Sequence, residues 1–171
     1  ENGKESVDLL VEKDINEALR KAKHINEYNE QRKDIDKHMT EDANQIVSRL
    51  ESQKHQSSIV LYDEHWKKGV IGIVASRLTE IYFRPTVVLT RDGDLATGSA
   101  RSVMGFDIYS AIKSCRDLLI NFGGHTYAAG LTLRWADIPT FRKRFQQYVE
   151  EHIQPEQIEA YLRIDAIIDF K

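Results

Sequence analysis

The sequence predicts an α/β fold: a mixed β-sheet flanked by helices and preceded by a long connector helix. Residues 14–56 contain no Gly or Pro and repeat apolar residues at three- and four-residue spacing, the mark of a helix. Beyond them, short runs rich in β-branched residues, such as 58–62 and 85–90, alternate with helical patterns. Strands and helices interleaved in this way, with an Asp-Gly turn joining two of the strands, give a sheet with both parallel and antiparallel neighbours.

Taken in order, Val7, Leu9, Leu10 and Val11 form a short apolar patch that reads as the tail of an element of a preceding domain. Asp14, with Glu17 three residues on, reads as a capping-box start. Ile15, Leu19, Ala22, Ile25, Tyr28, Ile35, Met39, Ala43, Ile46 and Leu50 then recur with one break at Arg32, predicting one long helix or two nearly collinear ones. At 1.5 Å per residue it would reach roughly 55–60 Å, the length of a connector running along a domain. The stripe is too polar and irregular for a sustained coiled-coil heptad. A polar boundary at 52–58 leads into a strand at 58–62 and a loop at 63–69 holding His65, Trp66, Lys67 and Lys68. Residues 70–83 are apolar on nearly every face and predict a buried helix. A buried strand at 85–90 is turned by Asp92-Gly93 into a second strand at 95–103 made of small residues. Asp107 N-caps a helix expected to run through Leu119, and a strand follows at 131–134. Residues 137–152 are helical, with Ile138, Phe141, Phe145, Tyr148 and Val149 on one face and Pro139 in the first turn. A helical turn at 155–161 and a further strand at 162–168 complete the chain, which has no internal repeat or low-complexity segment.

The 171 residues, 41% hydrophobic and 30% charged, suit a soluble globular protein with one compact domain and an appendage, or two small domains. We divide it at 1–56, 57–161 and 162–171. The net charge of −3 gives no global basic field. Residues 57–136 alone have a positive balance, 9 Lys and Arg against 7 Asp and Glu, which permits an anionic ligand without demanding one. Cys115 is the only cysteine, so no internal disulfide forms and a cytosolic setting fits. It lies in an apolar helical pattern, as a buried structural thiol would. No run reaches membrane-spanning length and no secretory signal is present. The start at Glu1 rather than Met, and the end inside a strand-like run, read as a piece of a longer protein.

The segment Asn121-Phe122-Gly123-Gly124-His125-Thr126-Tyr127-Ala128-Ala129-Gly130 is the most telling. A Gly-Gly pair frees the backbone to turn and exposes its N–H groups, and a histidine beside it donates or carries charge near neutral pH. The segment reads either as an anion-binding loop or as a helix C-cap at Gly123 followed by a tight loop. Gly69 and Gly72 bracket the start of the 70–83 helix, where free N–H groups and Lys67 and Lys68 would suit a phosphate. Close helix–sheet packing with solvated lysines is the reading we favour there. Thr97-Gly98-Ser99-Ala100-Arg101-Ser102 places an arginine among hydroxyls, a phosphate grip in which the guanidinium fork is assisted by serine. Its alternative is an exposed strand with a surface ion pair. The six histidines form no metal-ligand pair, and no Ser or Cys carries a nucleophile signature. The residues thus supply anion-binding groups without a catalytic engine.

In their order, Trp66-x-x-Gly69-Val-Ile-Gly-Ile-Val-Ala-Ser-Arg-Leu78, Arg84-Pro85-Thr86, Gly98-Ser-Ala-Arg-Ser102 and Phe122-Gly-Gly-His-x-x-Ala-Ala-Gly130 resemble the RecJ-type single-strand-specific DNA exonucleases of the DHH phosphoesterase superfamily. Residues 57–136 resemble the DHHA1 domain of those enzymes. The long helix, with Asn29-x-x-Arg32, resembles their interdomain connector, and the run from Leu162 the exit toward a following domain. The resemblance implies a hydrolase working 5′ to 3′ in DNA repair and recombination, in the bacterial cytoplasm. It implies Mn or Mg held by a DHH domain whose signature is absent here, and single-stranded DNA and that DHH domain as partners. It implies substrate contacts from Ser99, Arg101, Gly123, Gly124 and His125, with no catalytic or metal-binding residue in this piece, which alone is expected to be inactive. At Lys67 the pattern departs, since a histidine often follows the tryptophan. A DHH-family oligonucleotide or cyclic-dinucleotide phosphodiesterase, and a non-catalytic nucleic-acid-binding appendage like that of alanyl-tRNA synthetases, remain alternatives.

Overall fold

The computed structural model describes residues 2–51 and 56–159. Five strands, β1 (Ile59–Asp63), β2 (Thr86–Asp92), β3 (Leu95–Arg101), β4 (Leu119–His125) and β5 (Ala128–Arg134), form one sheet in the order β1-β2-β3-β5-β4. β1 and β2 are parallel and the other pairs antiparallel, so the expected mixed sheet is formed. The helices are α1 (Asn2–Leu10), α2 (Ile15–Glu51), α3 (Ile71–Tyr82), α4 (Ile108–Lys113) and α5 (Ile138–His152). α3 is the crossover that a parallel β1–β2 pair requires.

The period-two alternation of the strands sends their apolar residues to opposite sides. On one face Val60, Val87, Leu89, Ala96, Ala100, Ala129, Leu131 and Leu133 pack with Ile108, Ala111 and Ile112 of α4 and Ile138, Phe141, Phe145 and Val149 of α5. Cys115 is fully buried in this core, and burial pushes its thiol pKa up. On the other face Ile59, Leu61 and Val88 are covered by Val74, Ala75 and Leu78 of α3 and by Met39, Ala43 and Val47 of α2. That cover stops at β3. Beyond it the face is made of Thr97, Ser99, Arg101, Ala128, Gly130, Thr132, Asn121, Gly123 and His125, too small or polar to bury a helix.

α2 is one helix of 37 residues, within the expected span. Asp14 caps it, accepting from the N–H groups of Asn16 and Glu17 at 2.9 and 3.0 Å. The box is not closed by Glu17, which pairs with Arg20 while Glu12 accepts the Asp14 N–H. Its apolar stripe divides in two. Ile15 and Leu19 are 69% and 62% exposed, whereas burial begins at Asp36. There the Asp36 carboxylate accepts from Arg77 of α3 at 2.6 Å and from the Thr40 hydroxyl at 3.3 Å, tying α2 to α3. Residues 7–10, expected as the tail of an earlier element, belong to α1, which packs against α2.

Several boundaries differ from the sequence reading. The helix capped by Asp107 ends at Lys113 rather than Leu119. Ser114 donates its hydroxyl back to the Ala111 carbonyl, Cys115 takes a shorter-range bond to Ile112, and a 3-10 turn at Arg116–Leu118 leads into β4. The 121–125 segment is therefore strand, not loop, and the Gly123 helix-cap reading falls. β5 begins at Ala128, three residues earlier than expected, and β3 stops at Arg101 instead of 103. The tip of the β2–β3 hairpin is Gly93-Asp94, with Gly93 at φ 64°, one residue beyond Asp92-Gly93. α3 is not buried all round, since Ile81 is 53% exposed. The turn after α5 is a 3-10 segment at Pro155–Gln157, and the strand expected at 162–168 lies outside the described residues.

Gly98 faces the core. A Cβ there would stand 2.5 Å from Leu89 Cδ2 and 2.9 Å from Leu131 Cδ2. Gly98→Ala should overpack this contact, cost about 1–3 kcal/mol and lower Tm by roughly 3–10 °C in a thermal melt.

Candidate nucleic-acid interface

β3 alternates between the two faces. Ala100 enters the core, so Ser99 and Arg101 on either side of it emerge on the open face, both half-buried. Arg101 lies against α3. Its Nε–H donates to the Ser76 hydroxyl at 3.1 Å, and Nη1 donates to Ser99 Oγ at 2.9 Å and to the Ala100 carbonyl at 2.8 Å. No carboxylate among the described residues pairs with it. The surface ion pair considered from sequence is not formed.

Strand register carries the site across the sheet. Arg101 lies opposite Ala128, which lies opposite His125. Ser99, Gly130 and Gly123 form the next row, and Thr97, Thr132 and Asn121 the third. With neighbouring strands about 4.8 Å apart, Arg101 and His125 stand roughly 10 Å from one another over a floor of Ala128 and Gly130. The lower rows border an open depression of about 400 Å³ that Lys68 also lines. The structure thus brings together four of the five residues named from sequence.

The fifth, Gly124, has a packing reason for being glycine. Its φ is 151°, and a Cβ would meet the Ala128 carbonyl and lie 2.5 Å from Ala129 Cα. Gly123 is exposed, with nothing within 4 Å of its Cβ position, and is the backbone free to be approached. His125 is exposed, and its ring makes no hydrogen bond to the described residues. The hairpin tip beside it is held in place, because the Thr126 and Tyr127 carbonyls accept from Ile108 and Ser102 N–H groups at 3.0 Å each.

Most of the N–H groups at the start of α3 are engaged within the chain. The N–H groups of Val70 and Ile71 both reach the Lys67 carbonyl, those of Ile73 and Val74 reach Val70, and Lys68 pairs with Asp92 at 3.2 Å. The packing reading fails at Gly69, where a Cβ would have nothing within 4 Å, and holds at Gly72 with a partner the sequence reading missed: a Cβ there would lie 3.1 Å from Ser99 Oγ and 3.2 Å from Arg101 Nη2. Gly72 and Ser76 are four residues apart, a small and polar break in an otherwise apolar helix pattern, which was the available signal. Among the described residues no three His, Cys, Asp or Glu converge in a group that could hold a metal ion.

The fold and site together are those of an α/β domain whose sheet is covered on one face and half of the other, with an arginine, paired by no carboxylate among the described residues, at the edge of the bare half. The chain belongs to the DHHA1 domain family, whose model matches residues 55–151. It is 35% identical over 164 residues to the single-stranded-DNA-specific exonuclease RecJ of Bacillus subtilis, covering 95% of this chain and 21% of that protein. RecJ of Escherichia coli is 32% identical over 161 residues, or 90% of this chain and 28% of its own length. The crystal structure of RecJ with Mg2+ from Thermus thermophilus superposes with a TM-score of 0.78 at 28% identity, over 89% of this chain and 23% of that one. A structure of exonuclease RecJ bound to manganese gives 0.75 at 29% identity, over 92% and 38%. The chain thus spans between a fifth and a third of the length of the curated relatives just named.

Gly130 should be replaceable without loss of fold, because a Cβ there meets only the Gly98 carbonyl, at 3.8 Å. Gly130→Val should leave Tm unchanged or higher and fill the floor between Ser99 and Gly123, beside Arg101 and His125, weakening oligonucleotide binding. Parallel melting and anisotropy titrations check both halves.

Proposed function

We propose that this chain supplies the strand-gripping face of a RecJ-type exonuclease that degrades single-stranded DNA from the 5′ end. The observation that carries this is the Arg101 guanidinium, half-buried on hydroxyls and a carbonyl with no carboxylate among the described residues. A charge held in this way is completed by an anionic ligand. Ser99 and Arg101 hold the phosphate near the 5′ end. Gly123, whose backbone is bare, and His125 contact the phosphate on the β4 side of the floor, and Gly124 keeps that strand close to β5. Stacking is not needed for this grip, which suits a nuclease that reads the backbone rather than the bases.

Residues 1–56 serve as the connector from a DHH domain, 57–161 as the substrate-binding domain and 162–171 as the exit toward the next. The Mn or Mg that activates water in such an enzyme is held by the DHH domain, and this chain orients the strand toward it. The exposed Ile15 and Leu19 on the free part of α2 support that reading of the connector. Among the described residues no helix is long and apolar enough to cross a membrane.

A 5′-phosphorylated oligothymidylate titrated by anisotropy at low salt tests the assignment. Arg101→Ala should weaken binding about tenfold, and the wild-type salt slope should be shallow, reporting one or two neutralised phosphates. Equal affinity of wild type and variant would reject the role of Arg101. The chain alone, incubated with manganese and labelled single strands, should release no nucleotides, and robust release would overturn the division of labour.

A further inference from the structure

We propose that Gly72 and Ser76, one turn apart on α3, are positioning residues that hold the Arg101 guanidinium with its Nη2 edge turned to the incoming phosphate. The proposal rests on the reading of Arg101 as the phosphate contact and adds the device that aims it.

A guanidinium carries five N–H donors in one plane. Three are engaged within the protein: Nε–H on Ser76 Oγ at 3.1 Å, and the two of Nη1 on Ser99 Oγ and the Ala100 carbonyl at 2.9 and 2.8 Å. Because the group is rigid, those bonds settle where Nη2 points. The two hydrogens of Nη2 have no acceptor among the described residues, which leaves them for a ligand. Ser76 is a directed acceptor. Its own proton goes to the Gly72 carbonyl at 3.1 Å, so a lone pair of its oxygen is turned toward Arg101. The acceptors on β3 are contributed by the strand that carries Arg101. Ser76 comes from the helix cover and pins the fork from outside that strand.

Gly72 provides the space. A side chain there would enter the volume of the fork, with a Cβ 3.1 Å from Ser99 Oγ and 3.2 Å from Arg101 Nη2. Those distances are tighter than ordinary contact, and the atoms that would yield are the ends of the two phosphate-binding side chains. The backbone at Gly72 does not itself call for glycine. It lies within α3 and is not among the glycines with positive φ, and glycine is a poorer helix former than alanine. A purely structural glycine and a positioning glycine therefore predict opposite outcomes. Replacing it with alanine leaves the helix as stable or more so, while the fork is displaced.

The test uses this chain and four variants, Gly72→Ala, Ser76→Ala, Ser76→Thr and Arg101→Ala. The first readout needs no DNA. In 1H–15N spectra of arginine side chains, wild type should show a slowly exchanging Nε–H signal that Arg101→Ala removes. Ser76→Ala should lose its protection and Ser76→Thr should keep it. The second readout is the ratio of affinities for 5′-phosphorylated and 5′-hydroxyl oligothymidylate. It should fall about tenfold in Ser76→Ala and Gly72→Ala and stay within about twofold of wild type in Ser76→Thr, the size expected for one bond to a charged group. Gly72→Ala should melt no lower than wild type. The proposal is overturned if the wild-type Arg101 Nε–H is unprotected, or if Ser76→Ala and Gly72→Ala keep the phosphate preference that Arg101→Ala loses. If Arg101→Ala itself keeps that preference, the reading of Arg101 as the phosphate contact fails, and the proposal with it.

Discussion

The Arg101 guanidinium lies at the seam where the helix cover of the sheet ends and the bare half begins, and the arrangement around it depends on that position. A charge removed from water must be hydrogen-bonded or matched by an opposite charge. Here α3 gives a hydroxyl, β3 gives a hydroxyl and a carbonyl, and no carboxylate among the described residues competes with a ligand. The rest of the bare half has no bulk to obstruct an approach. Ala128 lies between Arg101 and His125 in the sheet and Gly130 and Gly123 form the row beside it, so a strand laid across them would meet main chain.

On the proposed reading, stability and recognition fall to different faces. The α4–α5 face is filled by Phe141, Phe145, Leu89, Leu131 and Leu133 and has no exposed glycine floor to support. That core compensates for an opposite face rich in residues that weaken strands. β4 is held at the sheet edge by pairing with β5 and by the bonds from Ile108 and Ser102 at the hairpin tip. The partial cover also links Arg101 to α2. Arg77, next to Ser76, grips the buried Asp36 of α2, so the helix that aims Arg101 is the helix to which α2 is anchored.

What was legible in the sequence was local. Asp14 and Asp107 cap as their residue type requires, with Asp107 accepting from the N–H groups of Tyr109 and Ser110. Ile138, Phe141, Phe145 and Val149 are buried, as their helical spacing predicts. What misled was the stretch from Ser114 to His125. Ala111, Ile112, Cys115, Leu118 and Leu119 keep a helical period, yet the backbone leaves the helix at Lys113. Pairing with β5 makes a strand of Leu119–His125, glycines included, with an irregularity between Leu119 and Asn121. The stripe on α2 was visible, but not that its first half faces away from the sheet. Ser99, Arg101, Gly123 and His125 were recognisable because each lies in a short motif. Their Ser76 partner, 25 residues from Arg101 in sequence, was legible only as a polar residue in an apolar helix.

The central claim is that the bare half of the sheet is where the strand lies. A backbone 1H–15N titration of this chain with a 5′-phosphorylated oligothymidylate tests it most directly. A strand lying on the bare half should shift Ser99, Arg101, Gly123, His125 and Gly130 and leave the α5 resonances unmoved. Shifts centred on α5, or on the exposed part of α2 with the glycine floor silent, would contradict it.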